Sequence, residues 1–405
     1  MKTKGLAALL VAEAMNLLDT TVVQVAGPVI HRELGGSLTD IQWFSAAYTM
    51  AFALLLITGG RLGDLAGRRR VFLIGVSVFL LASLGCALAP SAGALIGLRA
   101  LQGGAAALVI PQTFGLIKAM FDGRQLSRAL GSIGPVMGLA AVSGPVLGGL
   151  LTHTVSWRAA FLINLPLGVA VLVAARHLPE DRAPERPGLD LAGTALGMIG
   201  IGLVVYPLIQ PAPKWLVAVG VAVLAWFCLH QRRRTPGLFT GSAFPAALVT
   251  STLFFAVTTG LMFTVVLHQQ LALGKDVLAA GLTLLPWSLG LAVSSWVAGA
   301  YLVPRYGSRV MFAGLACLLL APWTLLVAGV GVGLFTAPFF TAALGEVKPQ
   351  DTGAAAGLLN AVQQVGGTLG VAVLGGVYLA GSLTAAFWTA AALLAATAVS
   401  AAVMS

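Results

Sequence analysis

Residues Gly59–Arg70, GGRLGDLAGRRR, decide what kind of chain this is. The stretch sets Arg61, Asp64, Arg68, Arg69 and Arg70 between two long apolar runs, in a sequence of which only 9% is charged. Such a cluster reads as a wet turn joining two buried segments. Gly60, Gly63 and Gly67 mark the turn as tight, with close backbone approach. Its basic sign faces it to the cytoplasm.

Working outward, 58% of the 405 residues are apolar and the mean hydropathy is +0.96. A water-soluble surface needs far more charge. Apolar runs of about 20 residues recur along the chain, each long enough to cross a hydrocarbon core of about 30 Å. The fold class is therefore an all-α, multi-pass membrane protein, in which fifty glycines and nineteen prolines serve close packing and are tolerated within spans. The net charge of +10 sits in short turns, so it reports topology and not nucleic-acid binding. Cys86, Cys228 and Cys317 fall in apolar segments and read as buried thiols, with no disulfide framework or metal site. The N-terminal apolar run contains Glu13 and Asp19, so it reads as the first span and not as a signal peptide.

Helices are expected at about 5–30, 40–59, 71–89, 91–119, 125–152, 158–176, 190–209, 214–230, 243–270, 276–302, 309–327, 330–347, 353–379 and 382–404. In the crowded stretch 309–347 a turn is expected near Gly329, Gly331 and Gly333. With the N-terminus cytoplasmic, eighteen of the twenty-three basic residues fall inside. Arg32, Arg158, Lys214 and Lys275 fall outside, and Arg99 falls within a span. That bias places both termini in the cytoplasm. The domains expected are a six-helix bundle over 1–176, a cytoplasmic connector over 177–189, two inserted helices over 190–230 and a second six-helix bundle over 243–405. A faint repeat supports the halves: Gly35 precedes Gly67–Arg70 by about thirty residues, as Gly274 precedes Gly307–Arg309. Parallel six-span repeats are a transporter layout.

Four motifs, LDTTVVQVAGP (Leu18–Pro28), GRLGDLAGRRR (Gly60–Arg70), LRALQGGAAA (Leu98–Ala107) and GPVMGLAAVSGPVLGG (Gly134–Gly149), with WRAAFLINLPLG (Trp157–Gly168), follow in order along the spans. With them the chain resembles the major facilitator superfamily, and within it the fourteen-spanner drug:proton antiporters, over almost its full length. The resemblance implies two six-helix bundles with two extra transmembrane helices between them. It also implies export of small amphipathic compounds across the cell membrane in exchange for protons, without a cofactor, by a monomer whose partners are substrate, protons and lipid. A metabolite facilitator or symporter is the alternative, and a sensor or membrane enzyme on the same scaffold a remoter one.

The residues carry their own physics. Asp19 lies about 21 Å into the first helix, where a carboxylate costs about 2.5–3.5 kcal/mol unless it faces protein or water. Desolvation disfavours its charged form, which suits reversible protonation; the bland alternative is a polar staple between helices. Glu13 lies lower on an overlapping face and is a second proton or cation candidate. Arg99 sits at a depth similar to that of Asp19, and coupling between the two is expected, against a snorkelling Arg99. Gly60, Asp64, Gly67 and Arg68 form, by resemblance, a cytoplasmic latch between the halves; positive-inside topology alone requires no acid there. Gly134, Pro135, Gly144, Pro145, Gly148 and Gly149 are packing positions that the resemblance ties to antiport. Asn16, Gln24, Gln102, Gln269, Asn360 and Gln363 are cavity candidates, each otherwise a packing hydrogen bond.

The second basic turn, VPRYGSR, lacks the acid of the first. No acid falls in the middle of a second-half helix, so a neutral or anionic substrate is as much expected as a cation. There is no GxxxxGK[ST], which argues against ATP drive. No HExxH and no clustered nucleophile with a base appear, which argues against an enzyme or a metal site.

Overall fold

The computed structural model describes residues 2–181, 190–234, 243–320, 324–345 and 352–404. Eighteen α-helices follow one another there with no strand among the described residues. Chain contacts divide them into two compact units, Met1–Ala195 with Gly274–Gly281, and Leu196–Leu273 with Leu282–Ser405.

The first unit holds α1 (Lys2–Leu34), α2 (Thr39–Ala66), α3 (Arg68–Ala87), α4 (Ala92–Met120), α5 (Gly123–Gly131), α6 (Ile133–Thr154), α7 (Ala159–Leu162) and α8 (Asn164–Ala174). Glycine decides how near these helices come. A Cβ at Gly59 or Gly103 would strike the backbone of Ala107 or Tyr48, so α2 and α4 lie nearly in backbone contact. Gly144 and Gly148 of α6 lie likewise against Thr21 and Val22 of α1, and a Cβ at Gly149 would stand 2.8 Å from the Val277 carbonyl oxygen. Gly67 (φ 102°) ends α2 by donating its N–H to Gly63 at 2.9 Å, and α3 starts with the next residue. An L side chain rarely adopts that φ, which is why so abrupt a turn needs glycine.

The second unit holds most of α9 (Leu191–Ile209), α10 (Trp215–Arg234), α11 (Ala243–Leu267), part of α12 (Val277–Thr283), α13 (Leu285–Val297), α14 (Val303–Tyr306), α15 (Arg309–Leu320), α16 (Leu325–Gly345), α17 (Thr352–Ala380) and α18 (Leu383–Met404). Its core stacks Phe254 on Phe335 and Phe335 on Phe339, with ring centres 3.8 and 5.4 Å apart. At His268–Ala272 and Ala298–Leu302 the helix widens into π-type turns. The repeat seen in the sequence is a repeat of backbone geometry: Gly35, Gly67, Gly274 and Gly307 all have positive φ, and Gly307 closes its helix on Val303 at the same 2.9 Å as Gly67 on Gly63.

Three expectations are corrected. Twelve helices, not fourteen, are long and apolar enough to cross a membrane among the described residues. The two that fall short are apolar over Trp215–Gln231 and Arg309–Leu319, which at 1.5 Å per residue spans about 25 and 16 Å of a core of about 30 Å. The turn expected near Gly329 is also absent, for all three glycines lie inside α16. They are spent on contact instead, Gly329 with Trp287, Gly331 with Gly314, and Gly333 with Leu291 and Ser294. Finally, of the three cysteines only Cys86 is buried: Cys228 is exposed on α10 and Cys317 on α15 is half-buried. Leu81, Leu139, Trp226 and Trp388 are exposed too, an unusual surface in water and the expected one in lipid. The chain is a multi-pass membrane protein.

Candidate functional site

On α1, Met15, Asp19, Val22, Ala26 and Ile30 recur at helical spacing and are buried in the first unit. On α4, Leu95, Arg99, Gln102, Ala106 and Thr113 make the answering stripe. The two stripes bring Asp19 against Arg99, each 1% exposed. Arg99 Nη1 donates to Asp19 Oδ2 and, at 2.7 Å, to Gln102 Oε1, while its Nε donates to the Phe44 carbonyl at 2.9 Å. Asp19 Oδ1 accepts from Gln102 Nε2 and from Asn164 Nδ2, both at 2.8 Å. The same two amides donate to Ser83 of α3, at 2.8 and 3.3 Å.

Five helices thus meet at one carboxylate and one guanidinium. The centre of the Tyr48 ring lies 4.3 Å from the guanidinium carbon, a buried cation–π contact. The Tyr48 hydroxyl in turn donates to Asn16 Oδ1. A buried pair of this kind gains conformational definition more than stability, since desolvation offsets most of the attraction. It is therefore poised: a proton on Asp19 would remove the charge that Arg99 answers.

Glu13 lies about 1.7 turns toward the N-terminus, 4% exposed. Thr113 of α4 is the polar side chain that faces it, and Glu13 has no ion-pair partner among the described residues. A buried acid without a cation beside it is a second place where a proton or a cationic ligand would be accommodated.

At the far end of α2 the arginine-rich turn forms a second cluster. Arg68 Nη2 and Nε donate to Asp64 Oδ1 at 2.8 and 3.1 Å, and the Arg68 stem lies over Gly115 of α4, where a Cβ would stand 2.6 Å from its Cδ. Gly63 is occupied in the same sense by Gln112, whose Nε2 donates to the Gly59 carbonyl at 2.8 Å. Gly60 faces Pro111, with 3.4 Å available to a Cβ.

The remaining sequence-derived residues are placed as follows. Gln102 belongs to the Asp19 network, Asn16 touches it through Tyr48, and Gln24 is buried with Oε1 unpartnered. In the second unit Gln269 lies in the first π-type turn, half-buried and also with Oε1 unpartnered, and Asn360 and Gln363 are half-buried on α17. Pro145 lies under Gly281 of α12, while Gly134 and Pro135 are placed in α6 by backbone only. Arg182, Arg186, Glu346, Lys348, Asp351 and connector residues 182–189 lie outside the described residues. No group of three metal-binding side chains occurs among the described residues.

Sequence reasoning missed Ser83, Tyr48 and Asn164 in the network, and Glu180 and Asp181 beside the turn. Asn164 was within reach, as the one amide in the quoted stretch Trp157–Gly168. Ser83 and Tyr48 sit in apolar runs with nothing to single them out.

Known proteins agree with this architecture. The probable actinorhodin transporter of Streptomyces coelicolor is 41% identical over 92% of this chain and 72% of its own length. The puromycin resistance protein pur8 of Streptomyces alboniger is 37% identical over 91% and 80%. The tetracenomycin C resistance and export protein of Streptomyces glaucescens is 33% identical over 91% and 74%. Among solved structures, a bacterial homologue of the human lysosomal transporter Spinster superposes with a TM-score of 0.70 at 14% identity, covering 100% of this chain and 96% of that one. A profile described as the Major Facilitator Superfamily matches residues 9–328. With twelve candidate spans, two helical units and relatives named for antibiotic transport and resistance, the chain belongs to the Major Facilitator Superfamily.

Proposed function

We propose that this chain is a proton-coupled exporter that moves small amphipathic compounds of antibiotic type out of the cell by alternating access. Its relatives' names support the direction and the cargo class. The observation that carries the coupling is the buried Asp19–Arg99 pair, with a second buried acid, Glu13, on the same helix. Protonation of Asp19 from outside would release Arg99, and return of the proton to the cytoplasm would restore the pair as the halves rock. One charge moving inward down 100 mV supplies about 2.3 kcal/mol, roughly a fiftyfold gradient of cargo. On this reading the Asp64–Arg68 turn is the cytoplasmic gate of a six-helix N-terminal bundle, residues 190–230 are an insert, and both termini are cytoplasmic.

The test is efflux from loaded cells, first with actinorhodin, puromycin and tetracenomycin C. Wild-type efflux should collapse on adding a protonophore, and Asp19→Asn should abolish coupled efflux at normal expression. Efflux that survives both treatments would leave a facilitator in place of an antiporter.

A further inference from the structure

The chain leaving α8 returns to the α2–α3 turn before it goes on to α9. Arg69 Nη1 donates to Glu180 Oε1 at 2.8 Å. Arg68 Nη1 donates to Asp181 Oδ2 at 2.5 Å, and the Arg68 backbone N–H donates to the Asp181 carbonyl at 2.9 Å. On the other side of the connector, Asp190 caps α9 through the Gly193 N–H at 2.9 Å. One residue later, the Thr194 and Thr58 hydroxyls share a hydrogen bond of 2.6 Å, with Thr58 on α2. Both flanks of the connector are thus fixed to α2 and the turn that ends it, and the first unit continues as far as Ala195.

We propose that Glu180, Asp181 and Thr194 form a two-point clasp on α2 that holds the α2–α3 turn, so that Arg68 is positioned by the connector as well as by Asp64. The proposal rests on the reading of that turn as a gate. One guanidinium serves two carboxylates from separate segments: Asp64 takes Nε and Nη2, and Asp181 takes Nη1. Arg68 cannot retreat toward α4, because its stem already lies over Gly115. Any displacement of the turn must therefore break a carboxylate bond. Here such a break is feasible. The side chains of Arg68, Asp64 and Asp181 are 25–27% exposed, so water takes over the lost partner, unlike at the sealed Asp19–Arg99 pair. A link that appears passive in sequence becomes the member that decides when Arg68 is free.

The test uses the full chain with Cys228→Ser and Cys317→Ser, carrying Arg69→Cys and Glu180→Cys. This pair leaves Arg68, Asp64 and Asp181 intact. A short bismaleimide should join the two cysteines in membranes. Adding Asp181→Asn should lower the yield several-fold and Asp181→Glu should restore it, whereas Asp64→Asn should leave it unchanged. In proteoliposomes, the cross-linked protein should move ethidium at less than a tenth of the unlinked rate. For the otherwise unaltered chain, Asp181→Asn should change the turnover rate and leave the ethidium KM within twofold. No cross-link, a yield indifferent to Asp181, or full transport by the linked form would each overturn the clasp. If the unlinked protein moves no ethidium, export of that cation is refuted, and the clasp is still judged by the cross-link yields.

Discussion

Neutralising Asp19 and Arg99 singly and then together probes the buried pair most directly. In Asp19→Asn, Arg99 keeps the Phe44 carbonyl and Gln102 Oε1 but loses its counter-ion. Both groups are 1% exposed, so water cannot substitute, and removing one member of such a pair costs about 3–5 kcal/mol. In Arg99→Gln, the carboxylate keeps its amide donors from Gln102 and Asn164. The Tyr48 ring then loses its cation, worth about 0.5–2 kcal/mol more. The double variant holds an amide at each position and no stranded charge. Its loss should be that of the missing hydrogen bonds, about 1–3 kcal/mol. Thermal unfolding of purified protein in detergent, read beside membrane yield, should therefore rank wild type first, the double variant second and both singles last. A double variant no more stable than either single would refute the coupling, and singles indistinguishable from wild type would refute the burial argument itself.

Two backbone predictions follow from the helix junctions. Gly67→Ala places a Cβ at φ 102° and should destabilise the chain by about 1–3 kcal/mol, seen as a lower unfolding temperature. Gly59→Val drives a side chain into the Ala107 backbone; it should cost about 1–3 kcal/mol by overpacking and reduce membrane yield, whereas Gly93→Ala, with open space around it, should not.

Hydropathy and charge were enough to read most helices from the chain, because a span must be both long and apolar and these are counts along a line. The span count was too high for a related reason: α10 forms as read, but its apolar part is only Trp215–Gln231, and that of α15 is Arg309–Leu319. Gly329, Gly331 and Gly333 were misplaced because glycine serves both turns and close contacts, and only the neighbours Trp287, Gly314 and Ser294 decide between them. At the site, a deep acid and a deep base were visible as anomalies, and similar depth suggested that they meet. The donors around them were not visible, since a serine, a tyrosine and an asparagine in apolar runs become partners only when five helices converge. The attachment of Glu180 and Asp181 to Arg69 and Arg68 is tertiary and has no mark in the sequence.

The separation of eighty positions from Asp19 to Arg99 also sets a timetable for biogenesis. At about 5–20 residues per second, the ribosome delivers the acid roughly 4–16 s before the arginine that answers it. During that interval α1 carries an unanswered polar group, at about 2.5–3.5 kcal/mol if left in lipid. The other apolar residues of α1 must carry that cost until the fourth helix arrives, so the order of synthesis separates the insertion of the acid from its pairing.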